Sequence, residues 1–131
     1  MDSGLAPAPR AVCVHGAGGG GWEWTIWARV FAARGWDLAA PDLRPAAAGL
    51  AATGVGDFLD QVEAWAAPTP DLLVGASLGG LLALAVASAR PPRALVLVNP
   101  LPPQGAGAAP SRAHVWPDVV PWGRTRSLAG T

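Results

Sequence analysis

Eighteen consecutive residues without a charge, "LLVGASLGGLLALAVASA" from Leu72 to Ala89, constrain the fold of this chain more than any other stretch. That length sits at the lower limit for a membrane-spanning helix. Gly75, Ser77, Gly79 and Gly80 interrupt the run, so it divides into a short strand, Leu72–Ala76, and an apolar helix, Leu78–Ala89. A buried strand feeding directly into a helix that is apolar nearly all round belongs in the core of a soluble domain, not in a bilayer. Pro91-Pro92 ends the helix, and "ALVLV" (Ala94–Val98) supplies a further uncharged strand that closes at Asn99-Pro100.

Upstream residues repeat this alternation. "AVCVH" (Ala11–His15) reads as a buried strand running into glycines. Trp22 to Arg34 reads as one helix with Trp24, Trp27, Val30 and Phe31 on its inner face and Gly35 as its C-cap. Trp36 to Ala40 forms a strand stopped by Pro41-Asp42, and residues 43–56, rich in Ala and Gly, read as loop. Asp57 is placed to cap a helix running to about Ala67, with Phe58, Val62, Trp65 and Ala66 turned inward. The order β-α-β-α-β-α-β predicts an α/β fold: a short parallel sheet of about four strands with helices on both faces.

At 131 residues the chain fits one domain. Residues 1–10 read as a loose leader, 11–100 as the core, and 101–131 as an irregular Pro/Gly-rich tail, the start of a cap or linker region. Trp116 and Trp122 lie in that tail, and tryptophans want burial, so the tail is expected to pack on something. Nine arginines balance nine acidic residues and lie scattered, which leaves no electrostatic footprint for nucleic acid or an anionic membrane. A single cysteine, Cys13, excludes an internal disulfide framework, and no cluster has metal-ligand spacing. The N-terminus lacks the apolar region of a signal peptide, so a cytoplasmic protein needing neither cofactor nor metal is expected.

The chemistry concentrates in two short segments. Gly75-Ala76-Ser77-Leu78-Gly79 is a G-x-S-x-G sequence set between strand and helix, the context of a nucleophile elbow that exposes the serine oxygen at the carboxyl end of the sheet. The helix N-terminus there offers unpaired N–H groups to developing negative charge. "VHGAGGGGWEW" (Val14–Trp24) matches G-x-G-x-x-G at Gly16, Gly18 and Gly21, a pattern that cradles dinucleotide phosphates. That reading needs an acid about twenty residues on, at the end of the next strand. Asp37 falls at the start of that strand, and Asp42 comes twenty-six residues after Gly16. A Rossmann-like dinucleotide site therefore remains a remote alternative. With Ser77 as nucleophile, the same loop supplies the second oxyanion donor: Ala17 N–H, with Gly18 next, opposite Leu78 N–H.

Together, Val14-His15-Gly16-Ala17, Trp22-Glu23-Trp24, Pro41-Asp42-Leu43, Gly75–Gly80 and "LVLVNP" resemble the α/β-hydrolase family, and in particular its compact esterase-like and hydroxynitrile-lyase-like members, over residues 11 to 100. "DLRPAAAG" after Ala40 departs from the family's usual "DLPGHG"-like loop. The resemblance implies a Ser–His–acid hydrolase acting on an ester or related small carbonyl substrate, with a structural role for His15 in bonding loop backbone. His15, Gly16, Trp22, Trp24 and Ala76 are the candidate pocket residues around Ser77. After Ser77 the chain offers one histidine, His114, and one acid, Asp118, four residues apart in the tail, where two separate strand ends are needed. The catalytic acid and base are therefore expected outside this chain, which reads as the N-terminal half of a truncated α/β hydrolase with little turnover of its own. The competing class is a non-catalytic module that binds a ligand or partner, with self-association through the uncovered edge of the "ALVLV" strand.

Overall fold

The computed structural model describes residues 6–102. Four parallel strands form one sheet in the order β2-β1-β3-β4. They are β1 (Arg10–Val14), β2 (Asp37–Ala39), β3 (Leu72–Ala76) and β4 (Ala94–Val98). Three α-helices connect them: α1 (Thr25–Ala33), α2 (Val55–Trp65) and α3 (Leu78–Ala89). No described helix is long and apolar enough to cross a membrane.

Alternation along the strands sorts side chains into two layers, because successive residues point to opposite faces. Val12 and Val14 of β1 and Leu73 of β3 join Phe58 and Val62 of α2 and Leu78, Leu82 and Val86 of α3 on one face. Cys13 and Val74 join Trp24 on the other, with Trp27, Leu38 and Leu72 packed around them. β1 and β3 occupy the centre of the sheet and are the most enclosed strands, with Ala11 through Val14 fully buried.

Three elements differ from the sequence expectation. Residues 22–34 are not one helix. A 3-10 turn over Gly21–Trp24 leads into α1, and the tighter winding resets which side chains face the sheet. Trp27 and Phe31, four apart, turn inward and stack at 6.1 Å, whereas Val30 lies on the flank and is 54% exposed. The helix expected to be capped by Asp57 begins three residues earlier: Gly54 is its N-cap, and the Asp57 carboxylate reaches back to accept the Gly54 N–H at 2.8 Å. The stretch 43–56 contains a 3-10 turn at Leu50–Ala52 and the start of α2. Gly35 ends α1 as expected, with φ of 81° and its N–H donated to Ala32 O.

Candidate active site

Every strand of a parallel sheet presents its carboxyl end at the same edge, and there the β1 and β3 loops meet. Ser77 joins β3 to α3 with φ of 54° and ψ of −120°. A non-glycine residue held there stores strain of about 1–3 kcal/mol, maintained only by surrounding structure. That structure is visible. Ser77 N–H donates to Val98 O at 3.1 Å, and Ser77 O accepts the N–H groups of Gly80, Leu81 and Leu101 at 3.0–3.3 Å. Glycines make the turn sterically feasible: a Cβ on Gly75 would run into the Gly79 carbonyl, and one on Gly79 into the Val14 carbonyl. The last contact joins the first turn of α3 directly to the end of β1.

The glycine loop lies against the serine. A Cβ on Gly16 would sit 3.1 Å from Ser77 Cβ and 3.7 Å from Oγ, so the bare glycine backbone lets the loop lie close against the Ser77 side chain. Gly19 N–H donates to Gly16 O at 3.1 Å, and Gly18 adopts φ of 74°, which makes residues 16–19 a turn with Ala17 at its second position and a positive-φ glycine at its third. Among the described residues, the N–H groups of Ala17, Gly18 and Leu78 have no protein acceptor, and neither does Ser77 Oγ.

His15 is buried and both ring nitrogens are engaged: Nδ1 lies 2.7 Å from Gly16 O, and Nε2 accepts the Leu43 N–H at 2.8 Å. This pair of partners selects the neutral ring with the proton on Nδ1. The imidazole therefore ties the β1 loop to the segment after β2. Two carboxylates, quoted in the motifs but given no anchoring role by the sequence, complete the ties. Asp42 Oδ1 accepts the Gly21 N–H at 2.7 Å, and Glu23 Oε2 accepts the Gly16 N–H at 3.4 Å. Their signal in the sequence is an acid within reach of a glycine run that leaves many backbone donors to satisfy. Asp42 Oδ1 is thus committed to the backbone of the glycine loop.

Beside this cluster a cavity of about 230 Å³ includes His15 and Gly16 in its lining, along with Ala17 and Gly18. Trp22 and Trp24 stand elsewhere, and Ala76 brings its carbonyl against Gly16 but turns its side chain away. Trp22 is 72% exposed, Trp24 is buried on the opposite layer beside Cys13, and Ala76 packs against that layer. The 3-10 turn accounts for the displacement of both tryptophans. His114 and Asp118 lie outside the described residues. Among the described residues no three histidine, cysteine or carboxylate side chains gather where a metal ion could be held.

Residues 11–130 match a model described as the alpha/beta hydrolase family. No curated protein matches the sequence. Among solved structures, a variant of tomato methylketone synthase I in complex with beta-ketoheptanoate is similar at 25% identity and a TM-score of 0.62, over 76% of this chain and 42% of that one. An alpha/beta hydrolase enzyme from a metagenome of Mar Chica lagoon sediments, Morocco, gives 23% identity and a TM-score of 0.65, over 94% of this chain and 57% of the other. A monoacylglycerol lipase from Paleococcus ferrophilus gives 22% and 0.60, over 87% and 49%. The chain thus spans about half the length of these structures.

Proposed function

The chain belongs to the alpha/beta hydrolase family, and from that premise we propose that it is a serine hydrolase acting on an ester or a related small carbonyl substrate through Ser77. The observation that carries this reading is the strained Ser77 at the head of α3 with Gly16 packed against its side chain. Ser77 Oγ attacks the carbonyl carbon, and the resulting oxyanion is held by Leu78 N–H and Ala17 N–H, with Gly18 N–H adjacent. The positive end of α3 favours the same charge. The serine proton goes to a base, because a hydroxyl is a weak nucleophile at neutral pH. His15, the one histidine among the described residues, has both nitrogens committed to the loop. His114 and Asp118 lie only four residues apart where two separate strand ends are needed, so we expect little turnover from the 131 residues alone, in a cytoplasmic setting and without a cofactor.

An activated ester such as p-nitrophenyl butyrate tests this directly. Mass spectrometry is expected to find the butyryl group on Ser77 and none on the Ser77→Ala chain. Ala17→Pro removes one oxyanion donor while proline suits the second position of the turn. It is expected to slow acylation by about 10²- to 10³-fold. Acylation elsewhere with Ser77 untouched would end the proposal. Robust Ser77-dependent turnover by the purified chain would overturn the expectation of low activity.

A second reading follows from a different observation. β4 is an edge strand among the described residues, with Val96 and Val98 exposed beside its free edge. A long uncharged edge is a template for pairing, so a non-catalytic module that self-associates there is the competing function.

A further inference from the structure

The cavity beside the glycine loop has a wall built by residues 43–53, which include most of the "DLRPAAAG" stretch that departs from the usual family loop. That wall is stapled from several sides. Gln61 accepts the Arg44 N–H and donates to Arg44 O, both at 2.8 Å. Thr53, fully buried, accepts the Ala46 N–H through Oγ1 and donates to Gly49 O, also at 2.8 Å. His15 holds Leu43 at the other end. A segment tied at 43, 44, 46 and 49 presents a fixed surface to whatever occupies the cavity.

The interior chemistry is one-sided. Leu43, Pro45, Leu50, Phe58 and Leu78 supply its apolar side-chain surface, and among the described residues no charged one lines it. His15 is the polar side chain of the lining, and both its nitrogens are already bonded. Residues 16–19 of the glycine loop supply backbone to the lining, and Gly16 also lies against Ser77. A charge laid on this apolar wall meets no charged partner among the described residues, and giving up water without a partner is disfavoured. As for size, a cavity of about 150 Å³ lined by Leu, Ile and Phe takes one benzene. By the same ratio, the 230 Å³ here holds about nine carbons.

We propose that this cavity is the subsite for the apolar arm of the substrate, which makes Leu50 and Phe58 specificity-determining residues. The preferred substrates are neutral esters carrying an uncharged arm of about six to nine carbons, with the carbonyl at the Ala17 and Leu78 N–H groups. This assignment rests on the serine-hydrolase reading for the chemistry at Ser77 but makes its own claim about what binds.

Unreactive primary amides test it. Hexanamide through dodecanamide, and the ω-amino derivative of hexanamide, are titrated calorimetrically into the 131-residue chain and into Ser77→Ala. Affinity is expected to rise with each added methylene to about nine carbons and then fall. The ω-ammonium compound is expected to bind at least about tenfold more weakly than hexanamide. Leu50→Trp fills the cavity and should weaken hexanamide at least about tenfold, whereas Leu50→Ala should move the best length upward. Should the tryptophan variant not fold, the shift in Leu50→Ala decides. Equal binding of the ω-ammonium compound, or a chain-length profile unchanged in Leu50→Ala, overturns the proposal. Ser77→Ala is expected to keep the same length profile. No acylation at Ser77 with that profile intact would sink the hydrolase reading alone. Acylation without any length optimum would sink the subsite alone.

Discussion

Val74 of β3 and Val96 of β4 are the same residue type, side by side in register on neighbouring parallel strands. Val74 is fully buried and Val96 is 39% exposed. β3 has a strand on each side and packed side chains on both faces. β4 has β3 on one side, and the layer of Trp24 and Trp27 that covers Val74 stops short of it. On its other face, Leu95 and Leu97 pack against the α2–α3 core. An apolar alternating run therefore states only that a strand is fit to be buried. How much of it is buried depends on which elements arrive beside it.

The strongest way to probe the enclosed side is Gly79→Val. The new side chain would collide with the Val14 carbonyl where α3 meets β1. A loss of about 3 kcal/mol or more is expected in urea unfolding, to the point of no folded protein. The valine pair itself comes next. Val74→Ala should destabilise by about 2 kcal/mol, and Val96→Ala by less than about 0.5 kcal/mol. Equal losses at the two positions would show that something covers β4 in solution.

Enclosure of the sheet centre also has a chemical readout. Burial on β1 pushes the Cys13 thiol from 9.0 up to about 12. Above pH 9 the unfolded thiol ionises while the folded one stays protonated, so the unfolded state binds fewer protons and stability falls as pH rises toward 12. The slope is at most about 1.4 kcal/mol per pH unit. The sequence has no tyrosine and all nine of its basic residues are arginine, so few other groups titrate in that window. Urea midpoints at pH 8.5 and 10.5 should drop in the parent chain and stay level in Cys13→Ala. The mildest substitution for the fold is Val96→Lys, expected to change stability by under about 0.5 kcal/mol. It should nonetheless reduce any concentration-dependent association seen by sedimentation, because a charge on an edge strand discourages pairing. Association unchanged in that variant would exclude the β4 edge as its route.

Much of the scaffold was legible in advance, for specific reasons. Leu72–Ala76, Leu78–Ala89 and Ala94–Val98 have the limits expected of them, because glycine pairs and proline pairs punctuate strongly apolar runs. The meeting of the glycine loop and Ser77 was readable only by taking the two motifs together. β2 separates their strands in the chain, and it is the order β2-β1-β3-β4 that sets the carboxyl ends of β1 and β3 side by side. Less visible was anything set by a short polar tie. Glu23 and Asp42 bond backbone groups seven and twenty-one residues away, and no local period announces such pairs. Helix phase failed at Val30 for a related reason: a four-residue 3-10 turn shifts the angular count without altering the apolar spacing. The wall of the cavity, with Thr53 and Gln61 as its staples, read simply as an Ala/Gly loop.

The contact between Gly79 and the end of β1 has a consequence for how such a molecule diversifies. Because the head of α3 rests on Val14 and His15, serine and glycine loop form a single mechanical piece, and neither can be re-aimed without moving the other. Residues 43–53 are attached differently, by hydrogen bonds from His15 and Gln61, while Thr53 ties the segment to itself. They form an exchangeable cassette on a fixed chassis. New ligand preferences, in a lineage or on the bench, are most readily grafted there, with the elbow left untouched.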